Sequence, residues 1–182
     1  MLEFTESAAL GGLKELDSRA IGALYDRYYP EVYRYVRYRL NDEALAEDIA
    51  SEVFVRLLEA VQGKRGPRTN VKGWLLGTAS HIVTDHLRRS YHRPTEALDE
   101  NMLDPLALRP EDFERREQQQ RVRGALKNLT DEQQHVLALR FGEGHSLEET
   151  ALLMNKNVNA VKALQFRALA ALQRGIGEAV HD

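Results

Sequence analysis

Lys162, Gln165 and Arg167 lie close together on one stretch, Leu147 to Leu172, whose apolar residues decide how they are presented. Leu147, Ala151 and Met154 recur at i, i+4 and i+7, which gives a short helix one buried face. Asn155 follows, where a tight turn needs a residue tolerant of positive φ. Val158, Val161, Leu164 or Gln165, Ala168 and Leu172 then mark the buried face of a second helix. Helices joined in this way form a helix-turn-helix, whose second helix can enter a DNA major groove. An ordinary helical hairpin with no ligand has the same apolar pattern, so this stretch alone leaves both readings open.

A second group of chemically useful side chains is Arg88, Arg89, Tyr91, His92 and Arg93, preceded by Lys64, Arg65, Arg68 and Lys72. Guanidinium groups hold phosphates while a ring stacks on a base, a combination suited to single-stranded nucleic acid. A solvated basic helix end, favoured by the helix dipole, is the plainer alternative. Tyr25, Tyr28, Tyr29, Tyr33, Tyr35 and Tyr38 crowd one window with Arg27, Arg34, Arg37 and Arg39 between them. Tyr25, Tyr29, Val32 or Tyr33, and Val36 fit one helical face, which reads as core and lobe packing rather than base stacking. Glu47, Asp48, Ser51, Glu52 and Val55 fall opposite an apolar stripe and form either a partner-binding face or a solvated one. His81 and Asp85 are one turn apart, but further metal ligands are lacking and His86 points elsewhere, so no metal or cofactor is expected. With neither a nucleophile elbow nor a Gly-rich phosphate loop, nothing supports catalysis.

The elements that must position these groups all read as helix. One runs from about Arg19 to Leu40, with Pro30 marking a kink or a break. Another runs from about Glu43 to Val61, with Leu45, Ile49, Val53 and Leu57 as its stripe and Ala46, Ala50, Phe54 and Leu58 widening it. A Gly- and Pro-containing loop, Gln62–Asn70, precedes a third from Val71 to Ser90 that carries the only tryptophan, Trp74. After a proline-rich acidic segment, helix resumes near Glu114, breaks at Asn128–Leu129, and restarts with Thr130 or Asp131 as cap. Ser146 and Glu149 have capping-box spacing ahead of the helix-turn-helix. The expected fold is all-α: two small helical domains, 1–93 and 114–182, joined by an acidic flexible linker, 94–113.

Whole-chain charge is −3, but residues 94–120 carry −5 while the flanking segments carry +1 each. The acidity is therefore central, and the lobes are near neutral with local basic clusters. Cysteine is absent, which excludes disulfides and thiolate metal sites. The first residues lack a signal-peptide pattern and no apolar run approaches membrane-spanning length, so a cytoplasmic protein without membrane insertion is expected.

Three blocks in this order resemble the extracytoplasmic-function (group 4) sigma factors of bacterial RNA polymerase. AEDIASEVFVRLLEA (Ala46–Ala60) is similar to the family's polymerase-binding helix, and VKGWLLGTASHIVTDHLRRSYHR (Val71–Arg93) to its −10 recognition and melting region. ALKNLTDEQQHVLALRFGEGHSLEETALLM with NAVKALQFRALAAL is similar to its −35-binding domain. The resemblance implies a non-enzymatic promoter-specificity subunit whose partners are core RNA polymerase (clamp helices of the largest subunit, and the flap), promoter DNA and an anti-sigma factor. It places polymerase contacts on Asp48, Ser51, Glu52, Val55 and Arg56. It places −10 contacts on Lys64, Arg65, Lys72, Trp74, His81, Arg88, Arg89 and Arg93, with an unpaired base captured in the loop before Trp74. It places −35 contacts on Asn159, Lys162, Ala163, Phe166 and Arg167. The chain departs from the family's usual residues at Ser51, His81 and Ala163-Leu164. A stand-alone dimeric helix-turn-helix regulator is the alternative function.

Because each lobe carries only +1 and affinity for duplex DNA rises with the phosphates neutralised, the isolated chain is expected to bind promoter duplex negligibly at physiological salt. A gel shift with purified chain checks this; tight binding to one promoter fragment would contradict it.

Overall fold

The computed structural model describes residues 5–91 and 110–178. Their regular structure is entirely helical: α1 (Glu6–Lys14), α2 (Ser18–Arg39), α3 (Glu43–Gln62), α4 (Val71–Tyr91), α5 (Pro110–Lys127), α6 (Asp131–Leu137), a π-helical turn (Ala138–Gly142), α7 (Leu147–Leu153) and α8 (Val158–Glu178). The segment before α5 and Arg93 lie outside the described residues. α5 begins at Pro110, ahead of the expected start near Glu114.

Local chemistry sets the boundaries. Asp17 caps α2 by accepting from the Ala20 amide at 3.0 Å, and Asp42 caps α3 by accepting from Leu45 at the same distance. Pro30 does not break α2, which continues past it to Arg39. The missing backbone donor is offset by burial on both sides, Tyr28 before it and Val32, Tyr35 and Val36 after.

The N-terminal lobe packs α2, α3 and α4 around Leu24, Val32, Val53, Leu75 and Val83, with α1 closing one side through Ala9 and Leu13. α1 was not anticipated. Besides covering apolar surface, it places the Glu6 carboxylate to accept from the Val71 amide at 2.9 Å, at the start of α4. The buried face of α2 is Leu24, Tyr28, Val32, Tyr35 and Val36, so Val32 and Val36 of the expected face are buried while Tyr25 and Tyr29 lie at its margin. Tyr25, Tyr29 and Tyr33 instead stack in a row, centroids 4.8 and 6.3 Å apart, with Tyr25 also 4.9 Å from Phe54 of α3. These are still packing roles. The C-terminal lobe has its own core of Leu129, Val136, Leu137, Val161, Leu164 and Ala168.

The two lobes also pack directly on each other. Ala138 and Leu139 of the π turn are buried in the N-terminal core, and Leu153 and Met154 of the helix-turn-helix pack against it. Two glycines permit this approach. A Cβ on Gly142 would lie 2.5 Å from the Tyr38 ring, and one on Gly73 would lie 2.5 Å from the Leu153 carbonyl oxygen.

α6 and α7 both start with full capping boxes, Thr130 with Gln133 and Ser146 with Glu149. Ser146→Ala should lower unfolding stability by about 1 kcal/mol, read as a lower urea midpoint at unchanged slope.

Candidate functional site

The helix-turn-helix forms as its residues require. Asn155 adopts φ 51°, the left-handed conformation expected of it, and Asn157 opens α8 by accepting from the Ala160 amide at 2.8 Å. Val161, Leu164 and Ala168 turn inward, which leaves Asn159, Lys162, Ala163, Phe166 and Arg167 together on an exposed face. Phe166 is 74% exposed, an unusual place for a large apolar ring without a partner. Arg167 lies back along its helix, with Nε 3.4 Å from the Ala163 carbonyl oxygen. Gln165 does not join the outward row: its Oε1 accepts from Arg140 Nε at 2.9 Å. Arg140 also donates to the His145 carbonyl, so it fastens the π turn and the following loop to the recognition helix.

Asn70 starts α4 from a left-handed conformation, φ 48°. Its Oδ1 accepts from the Gly73 amide at 3.0 Å while its Nδ2 donates to the Leu152 carbonyl of α7 at 2.7 Å. Lys64, Arg65 and Arg89 are exposed, and Trp74 is half-buried against the N-terminal core. Lys72 pairs with Glu31 of α2. His81 and Arg88 converge on one carboxylate: Asp131 lies 2.6 Å from Arg88 Nη2 and 3.7 Å from His81 Nδ1. His81 therefore faces the other lobe. The structure joins these two candidates and leaves Lys64 and Arg65 apart from them.

On α3 the row Asp48, Ser51, Glu52, Val55 and Arg56 is exposed throughout, while Ile49, Val53 and Leu57 are buried beneath it. Arg56 grips Glu52 through Nε at 2.9 Å and Nη2 at 2.6 Å. Val55, 53% exposed, sits in an open groove with Glu59, Ala60 and Arg65. A small apolar centre within a charged rim suits a protein partner.

Sequence reading missed the polar joint between lobes. The half-buried Arg39 donates to Ser80 Oγ and Thr84 Oγ1, both at 3.0 Å, to Tyr35 Oη at 3.2 Å, and across the joint to Gln134 Oε1 at 2.5 Å. Tyr35 Oη also lies 2.8 Å from His135 Nδ1, a second crossing. With Arg39 donating to the phenol oxygen, the phenol proton is free for the imidazole nitrogen. Burial pushes the His135 pKa down to about 3, with Arg39 adding to the shift, so this histidine is neutral. Arg34 and Glu143 pair across the same seam at 3.2 Å. The available signal was Arg39 four residues after Tyr35 on one helix; neither residue names its distant partner.

Among the described residues no cluster of metal-ligating side chains occurs, and no helix is long and apolar enough to cross a membrane. Residues 24–93 match Sigma-70 region 2, and residues 125–174 match Sigma-70, region 4. The ECF RNA polymerase sigma factor BldN of Streptomyces coelicolor is 36% identical over 177 residues, covering 96% of this chain and 65% of that protein. The ECF RNA polymerase sigma factor SigX of Bacillus subtilis is 31% identical over 163 residues, covering 83% of this chain and 80% of that protein. The chain thus spans about two thirds of the first relative's length and four fifths of the second's. In fold it is similar to CnrH, solved in complex with the cytosolic domain of CnrY, at TM-score 0.58 and 21% identity over 92% of this chain and 94% of that one.

The buried histidine makes stability depend on pH. Unfolded, it titrates near 6.5; folded, near 3, so between these values the unfolded chain binds the extra proton. Stability is fully present above about pH 6.5 and falls as pH drops towards 3, by up to ~1.4 kcal/mol per pH unit from this residue. Urea midpoints measured from pH 7 to 4.5 should fall more steeply for the wild type than for His135→Gln; parallel curves would contradict the assignment.

Proposed function

Because the chain belongs to the extracytoplasmic-function RNA polymerase sigma factors, we propose that it binds core RNA polymerase and directs promoter-specific initiation through −10 and −35 elements. The observation carrying this reading is that three outward-facing rows of different chemistry occur in the family's order. The α3 row has an apolar centre and charged rim, the end of α4 is cationic, and the α8 row mixes amide, cation and ring.

In this reading Asp48, Ser51, Glu52, Val55 and Arg56 dock on the clamp helices of the largest polymerase subunit. The loop before Trp74 receives an unpaired −10 base while Arg88 and Arg89, with Lys64, Arg65, Lys72, His81 and Arg93, hold backbone or neighbouring bases. Unpairing a base costs a few kcal/mol, which a shaped pocket and backbone cations offset. Asn159, Lys162, Ala163 and Phe166 read the −35 element in the major groove, and Arg167 contacts phosphate or braces its helix. With Ala163 and Leu164 where relatives commonly carry Ser-Arg, the sequence preference differs from theirs.

The functional units are residues 1–93 and 114–182, and the acidic segment 94–113 occupies cationic nucleic-acid channels of the polymerase. The protein works in the cytoplasm, has no enzymatic activity of its own, and is held by an anti-sigma factor whose release trigger is not a disulfide within this cysteine-free chain. A dimeric stand-alone regulator accounts for α8 but gives no role to the α3 row or to the region 2 match.

Run-off transcription with purified core polymerase over a promoter library tests the proposal. Wild-type chain should direct initiation from a small promoter set. Val55→Asp should weaken core binding at least about tenfold. Lys162→Ala should change promoter ranking by roughly 1–3 kcal/mol per affected base pair without affecting core binding. A stable dimer that binds palindromic duplex and ignores core would overturn it.

A further inference from the structure

We infer that Glu6 of α1 is a positioning residue for promoter opening, setting the pose in which loop 63–70 and Trp74 meet the unpaired −10 strand. This rests on the reading of that loop as the receiver of an unpaired base. On α1, Glu6, Ala9 and Leu13 lie at i, i+3 and i+7, so all three share one face. Ala9 and Leu13 are buried on the core, and Glu6 stands at the exposed end of the same face. An apolar residue there would merely prolong the stripe. The carboxylate does something else: its Oε1 accepts from the Val71 amide at 2.9 Å. Val71 is fully buried, so the first amide of α4 has no water to replace that acceptor.

The loop is tied at both ends, so its pose depends on its exits. At the α3 end Lys64 has φ 57°, and the Arg65 amide donates back to the Ala60 carbonyl at 2.7 Å. Those contacts come from the chain's own neighbouring residues. At the α4 end Asn70 has φ 48° and caps Gly73, but the start of the helix is also gripped from two other helices. Glu6 of α1 holds the Val71 backbone, and Glu31 of α2 pairs with the Lys72 side chain. Glu31 is itself steadied, accepting from Arg27 at 3.1 Å. Carboxylates at a helix start are favoured by its dipole as well. Trp74 follows within one turn, its amide donating to the Asn70 carbonyl at 3.1 Å, so a tilt at Val71 moves its ring directly. Lys72 is free to exchange Glu31 for a phosphate, whereas a buried amide is closed to promoter groups. Glu6 therefore stays in place while the site works.

Trp74 is the sole tryptophan, so its emission reports the start of α4 in the full chain. Glu6→Ala should shift that emission and, with core polymerase on a promoter recovered from the run-off library, slow open-complex formation about tenfold. Binding of the −10 strand as a single-stranded oligonucleotide should weaken by a similar factor, with core affinity unchanged. Glu6→Gln keeps an acceptor oxygen and should restore all three readings. Asp17→Ala removes the cap of α2 just beyond α1, should lower the urea midpoint comparably, and should leave emission and opening unchanged. The inference is overturned if Glu6→Ala opens the promoter at the wild-type rate or slows it without moving Trp74 emission. It is equally overturned if Glu6→Gln fails to restore opening, or if Asp17→Ala slows it as much. Wild-type chain that failed to initiate with core polymerase would instead defeat the functional reading. Trp74 emission in Glu6→Ala would then still decide whether Glu6 sets the start of α4.

Discussion

A guanidinium drawn out of water must find acceptors for its N–H groups, and Arg39 finds them on three helices and in both lobes. Ser80 and Thr84 of α4, Tyr35 of its own helix and Gln134 of α6 are all neutral oxygens, so geometry rather than an opposite charge holds the cation. Gln134 is fixed in turn, because its Nε2 donates to the Leu129 carbonyl at 3.1 Å. A side chain anchored at both ends fixes the rotation of α6. That rotation, started by the Thr130 capping box, brings His135 to Tyr35 and Asp131 to Arg88. The packing of the lobes on each other follows from one half-buried cation and one helix cap.

Much of this architecture was legible in the residues, and the reason is local. Thr130 and Ser146 are caps whose partners lie three residues away, so those helix starts can be read without knowledge of the fold, and Asp17 and Asp42 cap α2 and α3 by the same local rule. Asn155 adopts positive φ because the turn between α7 and α8 demands it. The α3 stripe and the inward face of α8 follow from period alone, which leaves the outward rows as their complement. The illegible parts are long-range. Period reports that a face is apolar, not what covers it, so on the tyrosine-rich α2 Val32 and Val36 are buried as expected while Tyr28 and Tyr35 are buried in place of Tyr25 and Tyr29. Pro30 argued for a kink or a break by its own chemistry, and the helix runs on through it with both halves packed on the core. Ala138 and Leu139 read as ordinary members of their own lobe, yet they complete the core of the other.

The two proposed DNA-reading surfaces differ in how they are left by the fold. Val161, Leu164 and Ala168 consume the whole inward face of α8 within one lobe, so the outward row is free whatever the other lobe does. The basic end of α4 has no such independence, because Arg88 reaches past its own core to Asp131 of α6. A carboxylate at the capped start of a helix is a natural partner for it, being also favoured there by the helix dipole.

Each lobe carries a core of its own beside the joint. Leu24, Val32, Val53, Leu75 and Val83 form a core within the N-terminal lobe, and Leu129, Val136, Val161 and Leu164 form another within the C-terminal one. Between them run hydrogen bonds and ion pairs together with the buried apolar contacts of Ala138 and Leu139 and the packing of Leu153 and Met154. A neutral hydrogen bond of this kind contributes only about 0.5–1.5 kcal/mol net and one to a charged group about 1.5–3, because water can replace the partner. A seam of larger apolar side chains would expose a sticky patch on opening and resist it. A mixed seam, closed by glycines at its tightest points, resists parting less than an all-apolar one would.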